Sequence, residues 1–253
     1  MSELEFLSPA TPVSMADEWF EFATADHFWM RWRHQVLLRQ LCRANRSIRN
    51  GLEIGCGHGV VREMLERDLA IPIDGCDLNE HALQMANKGE GRLLVYDIFD
   101  EDASLLHAYD MILLMDVIEH IDDDLGFLNA ALKHLKPEAI VVINVPAHMP
   151  LYSKYDEVAG HKRRYNTANI KELFRAARVE PISVVQWGFS LIALLLVRKA
   201  ILSFVSRERT IRTGFAPPNI LVRSILGVLQ SIETHMPFSM PLGSSILAIG
   251  QIH

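Results

Sequence analysis

The chain has 253 residues, 49% hydrophobic and 22% charged, which suffices for one domain with a full apolar core. A net charge of −6 argues against a general nucleic-acid binder, which presents a basic surface. Cys42, Cys56 and Cys76 have no paired spacing, and the acidic N-terminal stretch with Glu3, Glu5, Asp17 and Glu18 is not a basic-then-apolar leader, so a cytoplasmic protein without a disulfide framework is expected.

The first dense segment crowds Trp19, Phe20, Phe22, Phe28, Trp29 and Trp32 together with His27, Arg31, Arg33 and His34. Its aromatics could stack on bases, but Asp17, Glu18, Glu21 and Asp26 oppose an anionic partner, and a helix packed over the domain edge is the plainer reading. Next, Leu52-Glu53-Ile54-Gly55-Cys56-Gly57-His58-Gly59 puts glycines at every second position after a short apolar run. An amphipathic helix follows, with Val60, Val61, Met64, Leu65 and Leu69 on one face. A strand turning through glycines into a helix lets a ligand approach bare backbone. Such a turn could also cradle a dinucleotide, but Glu53 would repel a pyrophosphate and suit a cationic ligand.

The pattern E-x-G-x-G-x-G resembles the first motif of class I S-adenosylmethionine-dependent methyltransferases. A second strand, Ile71 to Leu78, ends at Asp77, where a carboxylate accepts hydrogen bonds from ribose hydroxyls. Asn79 caps a helix with Ala82, Leu83 and Ala86, which Gly89 suits as an end. A third strand, Leu93 to Tyr96, stops at Asp97-Ile98, where the resemblance implies contact with adenine. A helix cap or a solvated turn is the alternative for each strand-end Asp.

The fourth strand, Tyr109 to Met115, reads as buried on both faces and runs into Asp116-Val117-Ile118-Glu119-His120-Ile121-Asp122-Asp123. This D-V-x-E-H segment is similar to that of methyltransferases related to the ubiquinone-pathway O-methyltransferases, in which it lines the cofactor pocket. Residues 116, 119 and 120 have metal-ligand chemistry, but no second cluster completes a geometry, so no metal is expected. A helix with Leu125, Leu128, Leu132 and Leu135 is ended by Pro137, and a fifth strand runs from Ala139 to Val145.

The loop after it carries His148, Tyr152, Tyr155, Asp156, Glu157 and Gly160-His161-Lys162-Arg163-Arg164-Tyr165, far more polar chemistry than a connector needs. Its G-H-x-R-R-Y stretch resembles a bacterial branch of the same class. His161 or His148 could take a proton from the acceptor, with Asp156 the candidate carboxylate. Equally, Asp156, His161, Arg163 and Arg164 could form a network that only orders the loop.

A helix with Ile170, Leu173, Phe174 and Ala177, a sixth strand near Ile182 to Trp187 and a last strand from Ser245 to Gly250 complete the pattern. Residues 182–197 carry no charge, and a helix after Pro217-Pro218-Asn219 places Leu221, Ile225, Val228, Leu229, Ile232 and Met236 on one face. From residue 198 onward the chain is locally +4 against −10 for the rest. This region could pack on the core, cap an apolar pocket, form a homodimer interface or lie on an anionic membrane.

The expected fold is α/β, a Rossmann-like, mostly parallel seven-stranded sheet with an antiparallel last strand and helices on both faces. The expected organisation is an N-terminal helical lid over 1–48, a core over 49–188, a helical insertion over 189–243 and the last core strand over 244–253. Within the lid, His27-Phe28-Trp29-Met30-Arg31-Trp32-Arg33 resembles the family's H-F-W-x-R-x-R stretch. The resemblance implies methyl transfer from S-adenosylmethionine, held by Glu53, Gly55, Gly57, Gly59, Asp77, Leu78, Asp97, Ile98, Asp116 and Val117, to a small-molecule hydroxyl, with an apolar or lipid-linked acceptor favoured. A nicotinamide-dependent oxidoreductase and a cofactor-binding module without catalysis are the alternatives.

Overall fold

The computed structural model describes residues 4–11, 20, 22–215, 220–235 and 240–253. Glu3, Asp17, Glu18, Trp19, Glu21, Pro217, Pro218, Asn219 and Met236, all used in the sequence reading, lie outside the described residues, and so does the side chain of Leu221. The strands are β1 (Leu4–Phe6), β2 (Gly51–Ile54), β3 (Ile73–Asp77), β4 (Leu93–Val95), β5 (Tyr109–Met115), β6 (Leu135–Pro146), β7 (Glu180–Trp187) and β8 (Ser245–Gln251). They form one sheet in the order β1-β4-β3-β2-β5-β6-β8-β7. β8 enters between β6 and β7 and runs antiparallel to both, while the remaining pairs are parallel.

The sheet therefore has eight strands rather than the expected seven. The addition is β1, which pairs Leu4 with Leu93 at the edge. Three residues are too few to carry a period-two signal. A second correction concerns Leu135 and Pro137. The helix ends at Leu132, and both residues belong to β6. Pro137 sits where the β5–β6 register shifts, a place that does not need its missing N–H.

The helices are α1 (Phe28–Ala44), α2 (Val60–Leu69), α3 (Glu80–Gln84), α4 (Asp124–Leu132), α5 (Lys154–Ala159), α6 (Thr167–Ala176), α7 (Leu191–Leu202), α8 (Thr210–Phe215) and α9 (Ile220–His235). They cover both faces of the sheet. On β5, Ile112 and Leu114 pack with Leu128 of α4 and Phe174 of α6, while Met111 and Leu113 pack with Met64 of α2 and Leu37 of α1. Alternate side chains on one strand thus enter two apolar layers, which is why the strand reads as an unbroken apolar run.

α3 starts as expected, with Asn79 Oδ1 accepting from Ala82 N at 3.1 Å, but it ends at Gln84, before Gly89. The chain is drawn away because Asn87 bonds Glu63 and Arg62 of α2. Of the four readings open for α9, exposure argues against packing of its apolar stripe on the core. Its apolar stripe faces solvent, with Ile225 52%, Val228 60% and Ile232 53% exposed, while Leu226 and Gln230 are buried, Gln230 Nε2 donating to Gln35 of α1. No helix among the described residues is long and apolar enough to cross a membrane.

Candidate functional site

β2 leaves the sheet through a turn in which Gly55, Gly57 and Gly59 have φ of +71°, +54° and +74°. A Cβ on Gly55 would stand 2.8 Å from Val117 Cγ2, so the turn presses against the segment after β5 with no room for a side chain. Asp77 closes the turn from β3, its carboxylate accepting from Gly57 N and Asn79 N at 2.8 Å each. Burial raises its pKa against those hydrogen bonds.

Glu53 belongs to β2, one residue before its end, rather than to the turn itself. It accepts from Arg62 N at 2.9 Å and so caps the first turn of α2. Burial pushes its carboxyl up to about 8, although Arg33 and Arg62 pull the other way. Arg62 is a residue the sequence reading missed. It is 1% exposed, and its guanidinium donates to the carbonyls of Ile73, Asn87 and Gly91. No period or neighbouring motif distinguishes it in sequence from a solvated helix arginine.

At the end of β5, Asp116 has φ +63°, a strained value for a residue with a Cβ. Asn144 Nδ2 donates to its Oδ1 at 2.8 Å, and Arg33 of α1 pairs with Oδ2. Burial raises the Asp116 pKa, opposed chiefly by Arg33. The Arg33 guanidinium lies 4.6 Å from the Trp29 ring centroid, so the first turns of α1 clamp the acidic segment. Farther along α1, Leu37 and Leu41 are ordinary core.

The two polar motifs, some 40 residues apart in sequence, dock on each other. Lys162 N donates to Glu119 O at 2.8 Å, and Tyr165 Oη donates to Asp124 at 2.8 Å. Asp156 is fully buried and saturated. Its Oδ2 accepts from Ser153 N at 2.8 Å, and its Oδ1 takes Arg164 at 2.8 Å and His161 Nδ1 at 3.0 Å. Burial opposes the charge, but the His161 hydrogen bond and the Arg164 charge hold its carboxyl down at about 2. Arg163 goes elsewhere, to Asp124 at 3.1 Å. Asp156 therefore orients His161 and leaves Nε2 as its acceptor nitrogen. His148 is turned toward β7, with Nε2 2.6 Å from Gln186 Oε1.

Glu119 is fully buried, its two carboxylate oxygens have no hydrogen-bond partner among the described residues, and burial lifts its pKa well above the usual range. His120 is held down to about 4 by burial and by the neighbouring His161. Glu119, His120 and His161 each bring one ligand-type atom within 4.8 Å of the others. The expectation of no metal rested on the lack of a second cluster, and His161 is the residue that folding adds.

One cavity of about 750 Å³ unites these parts. Glu53, Gly55, Gly57, Asp77, Asp116 and Val117 line it, and His161 faces it from the loop. His27, Phe28, Trp29 and Phe20 wall it from the N-terminal side, and α7 supplies an apolar wall that includes Leu194 and Ile201. The other expected residues lie off the lining. Gly59 opens α2, Leu78 O accepts from Thr11 N, and Asp97 caps its own turn through Phe99 N. Ile98 is buried in the core, while Asp156 and His148 stand behind the cavity wall.

A family described as "Methyltransferase domain" matches residues 22–184. A ubiquinone biosynthesis O-methyltransferase of Neisseria meningitidis is 29% identical over 97 residues, 36% of this chain and 41% of its own length. A probable S-adenosylmethionine-dependent methyltransferase of Mycolicibacterium smegmatis is 26% identical over 163 residues, covering 61% of this chain and 60% of that protein. The matches therefore span only part of these relatives. Among solved structures, a SAM-dependent methyltransferase of Archaeoglobus fulgidus shares the fold with a TM-score of 0.54 at 17% identity, over 87% of this chain and 94% of that one.

Proposed function

The chain belongs to the methyltransferase-domain family; we propose that it is an enzyme that uses S-adenosylmethionine to methylate a hydroxyl on a small apolar acceptor. Family membership supports this reading over the nicotinamide-dependent oxidoreductase and the non-catalytic module. The observation that carries the reading is one cavity lined by the glycine turn, by Glu53, Asp77 and Asp116, and by His161 opposite.

The site fits the cofactor. Each Asp77 oxygen accepts one backbone N–H and keeps a lone pair for a ribose hydroxyl. Buried acids around the turn suit a sulfonium and an ammonium, as they would not suit a pyrophosphate. S-adenosylmethionine supplies the methyl group. Gly55, Gly57 and Asp77 hold it, Asp116 and Val117 bound the pocket, and the start of α1 excludes water. His161, oriented by Asp156, takes the acceptor proton on Nε2. Asp97 and Ile98 serve indirectly, by shaping the end of β4.

The acceptor is apolar because α7 contributes a hydrocarbon wall. O-methylation follows the Neisseria relative, whose name gives that reaction. His161→Ala should slow transfer by roughly 10²–10⁴-fold while S-adenosylmethionine affinity, read by calorimetric titration, stays near that of the parent. Full turnover in this variant would remove His161 from the chemistry. A dinucleotide that bound more tightly than S-adenosylmethionine would overturn the cofactor fit.

A further inference from the structure

We propose that the acceptor bears an anionic group, a carboxylate or a phosphate, that docks on Arg198 beside Tyr155, with its apolar body along α7. This inference rests on the reading of the cavity as the transfer site and adds the chemistry of the acceptor's far end. Arg198 lines the cavity from α7, between hydrocarbon neighbours such as Leu194, Val197 and Ile201. Its guanidinium sits 4.3 Å from the Tyr155 ring centroid, and one N–H donates to Gly214 O at 3.1 Å. Gly214 packs closely on the same ring, where a Cβ would meet Tyr155 Cδ2 at 2.7 Å. The Nε–H is buried with no acceptor among the described residues.

A cation in an apolar chamber is costly unless an anion meets it. Asp156, the acid near enough to act on Arg198, is committed to Arg164, His161 and Ser153. Among the described residues Arg198 has an aromatic face and a carbonyl, and no carboxylate pairs with it. Desolvation lowers its pKa, in keeping with a charge awaiting a partner. A ligand carboxylate or phosphate would pair with the part of the guanidinium that lines the cavity through a charge-assisted bond, and the Tyr155 ring would fix the guanidinium plane.

Calorimetric titration of the whole chain with dodecanoate, dodecyl phosphate and dodecanol, each below its micelle concentration, tests this. The acids should bind at least about tenfold more tightly than the alcohol, the range of one charge-assisted hydrogen bond. The stronger of the two identifies the anion. Arg198→Gln should bring the acids to the affinity of dodecanol, Arg198→Lys should restore part of the difference, and Lys199→Gln, an exposed cation on the same helix, should leave it intact. Equal binding of acid and alcohol by the parent, or a preference that survives Arg198→Gln, overturns the proposal. S-adenosylhomocysteine is titrated into each variant separately. Its failure to bind would strike the cofactor reading, whereas unchanged cofactor affinity with no anion preference would strike this one alone.

Discussion

Glu53 shows how burial changes what a residue means. Its acidity is legible in sequence, but only the fold makes it 2% exposed, with Arg33, Arg62 and Asp77 as the charged groups around it. Its folded pKa of about 8 lies above the ordinary 4.5 of a glutamate in water. The stability tied to it is thus fully present below 4.5 and is lost as pH rises through about 8. Near neutral pH the free enzyme holds this carboxyl mostly protonated. A sulfonium or ammonium beside it favours the carboxylate, so S-adenosylmethionine binding at pH 7 should release a proton. Calorimetric titrations in two buffers of different ionisation enthalpy should give different heats, and Glu53→Gln should abolish the difference. Identical heats for the parent would mean that Glu53 does not meet the cationic end of the cofactor.

At the scale of elements, α2 is held at its first turn by two side chains. Glu53 caps its start, and Arg62 reaches three carbonyls of β3 and the loop before β4. Arg62→Met keeps the volume and orphans those carbonyls, and breaking such a buried arrangement costs roughly 3–5 kcal/mol. Arg67→Met, on the same helix but 58% exposed and paired with Asp68, should cost less than ~1 kcal/mol. Urea unfolding of the two variants makes the comparison. Equal losses would show that the buried guanidinium contributes no more than a surface pair. The sequence placed α2 correctly through Val60, Val61, Met64 and Leu65. It could not show Arg62 as a strut, because its partners are backbone atoms from remote segments.

For the whole molecule, the exposed apolar residues gather on α7 and α9. Leu196, Val197 and Ile201 of α7 are 51%, 56% and 51% exposed, Phe204 just beyond it is 92% exposed, and the α9 stripe is equally bare. Glu233 of α9 accepts from Gly188 N and Phe189 N and so ties α9 to the turn that leads into α7. Exposed Lys199, Arg207, Arg209 and Arg212 share this region of the chain. Such surfaces favour anionic bilayers, from which an apolar acceptor would enter the cavity. The chain should therefore sediment with vesicles containing an anionic phospholipid and not with zwitterionic ones, and salt should weaken the binding. Replacing Val197, Ile201 and Phe204 by Ser should abolish it. No sedimentation, together with a dimer by analytical ultracentrifugation that the same substitutions dissolve, would assign the surface to a second copy.

The sequence by itself determined the sheet from β2 onward, the glycine turn with Asp77 behind it, and the methyltransferase class. Those features are local: a period of two or of 3.6, glycines at fixed spacing, an acid at a strand end. The tertiary structure alone decided the edge strand β1, the docking of the 116–123 segment on the 160–165 loop, and the division between His161 on the cavity wall and His148 behind it. It also turned the α9 stripe outward and left Arg198 beside hydrocarbon with no carboxylate paired to it among the described residues. Each of these depends on which remote groups meet. Chain order does not encode that directly, because burial, carbonyl partners and counter-ions come from segments far away in sequence.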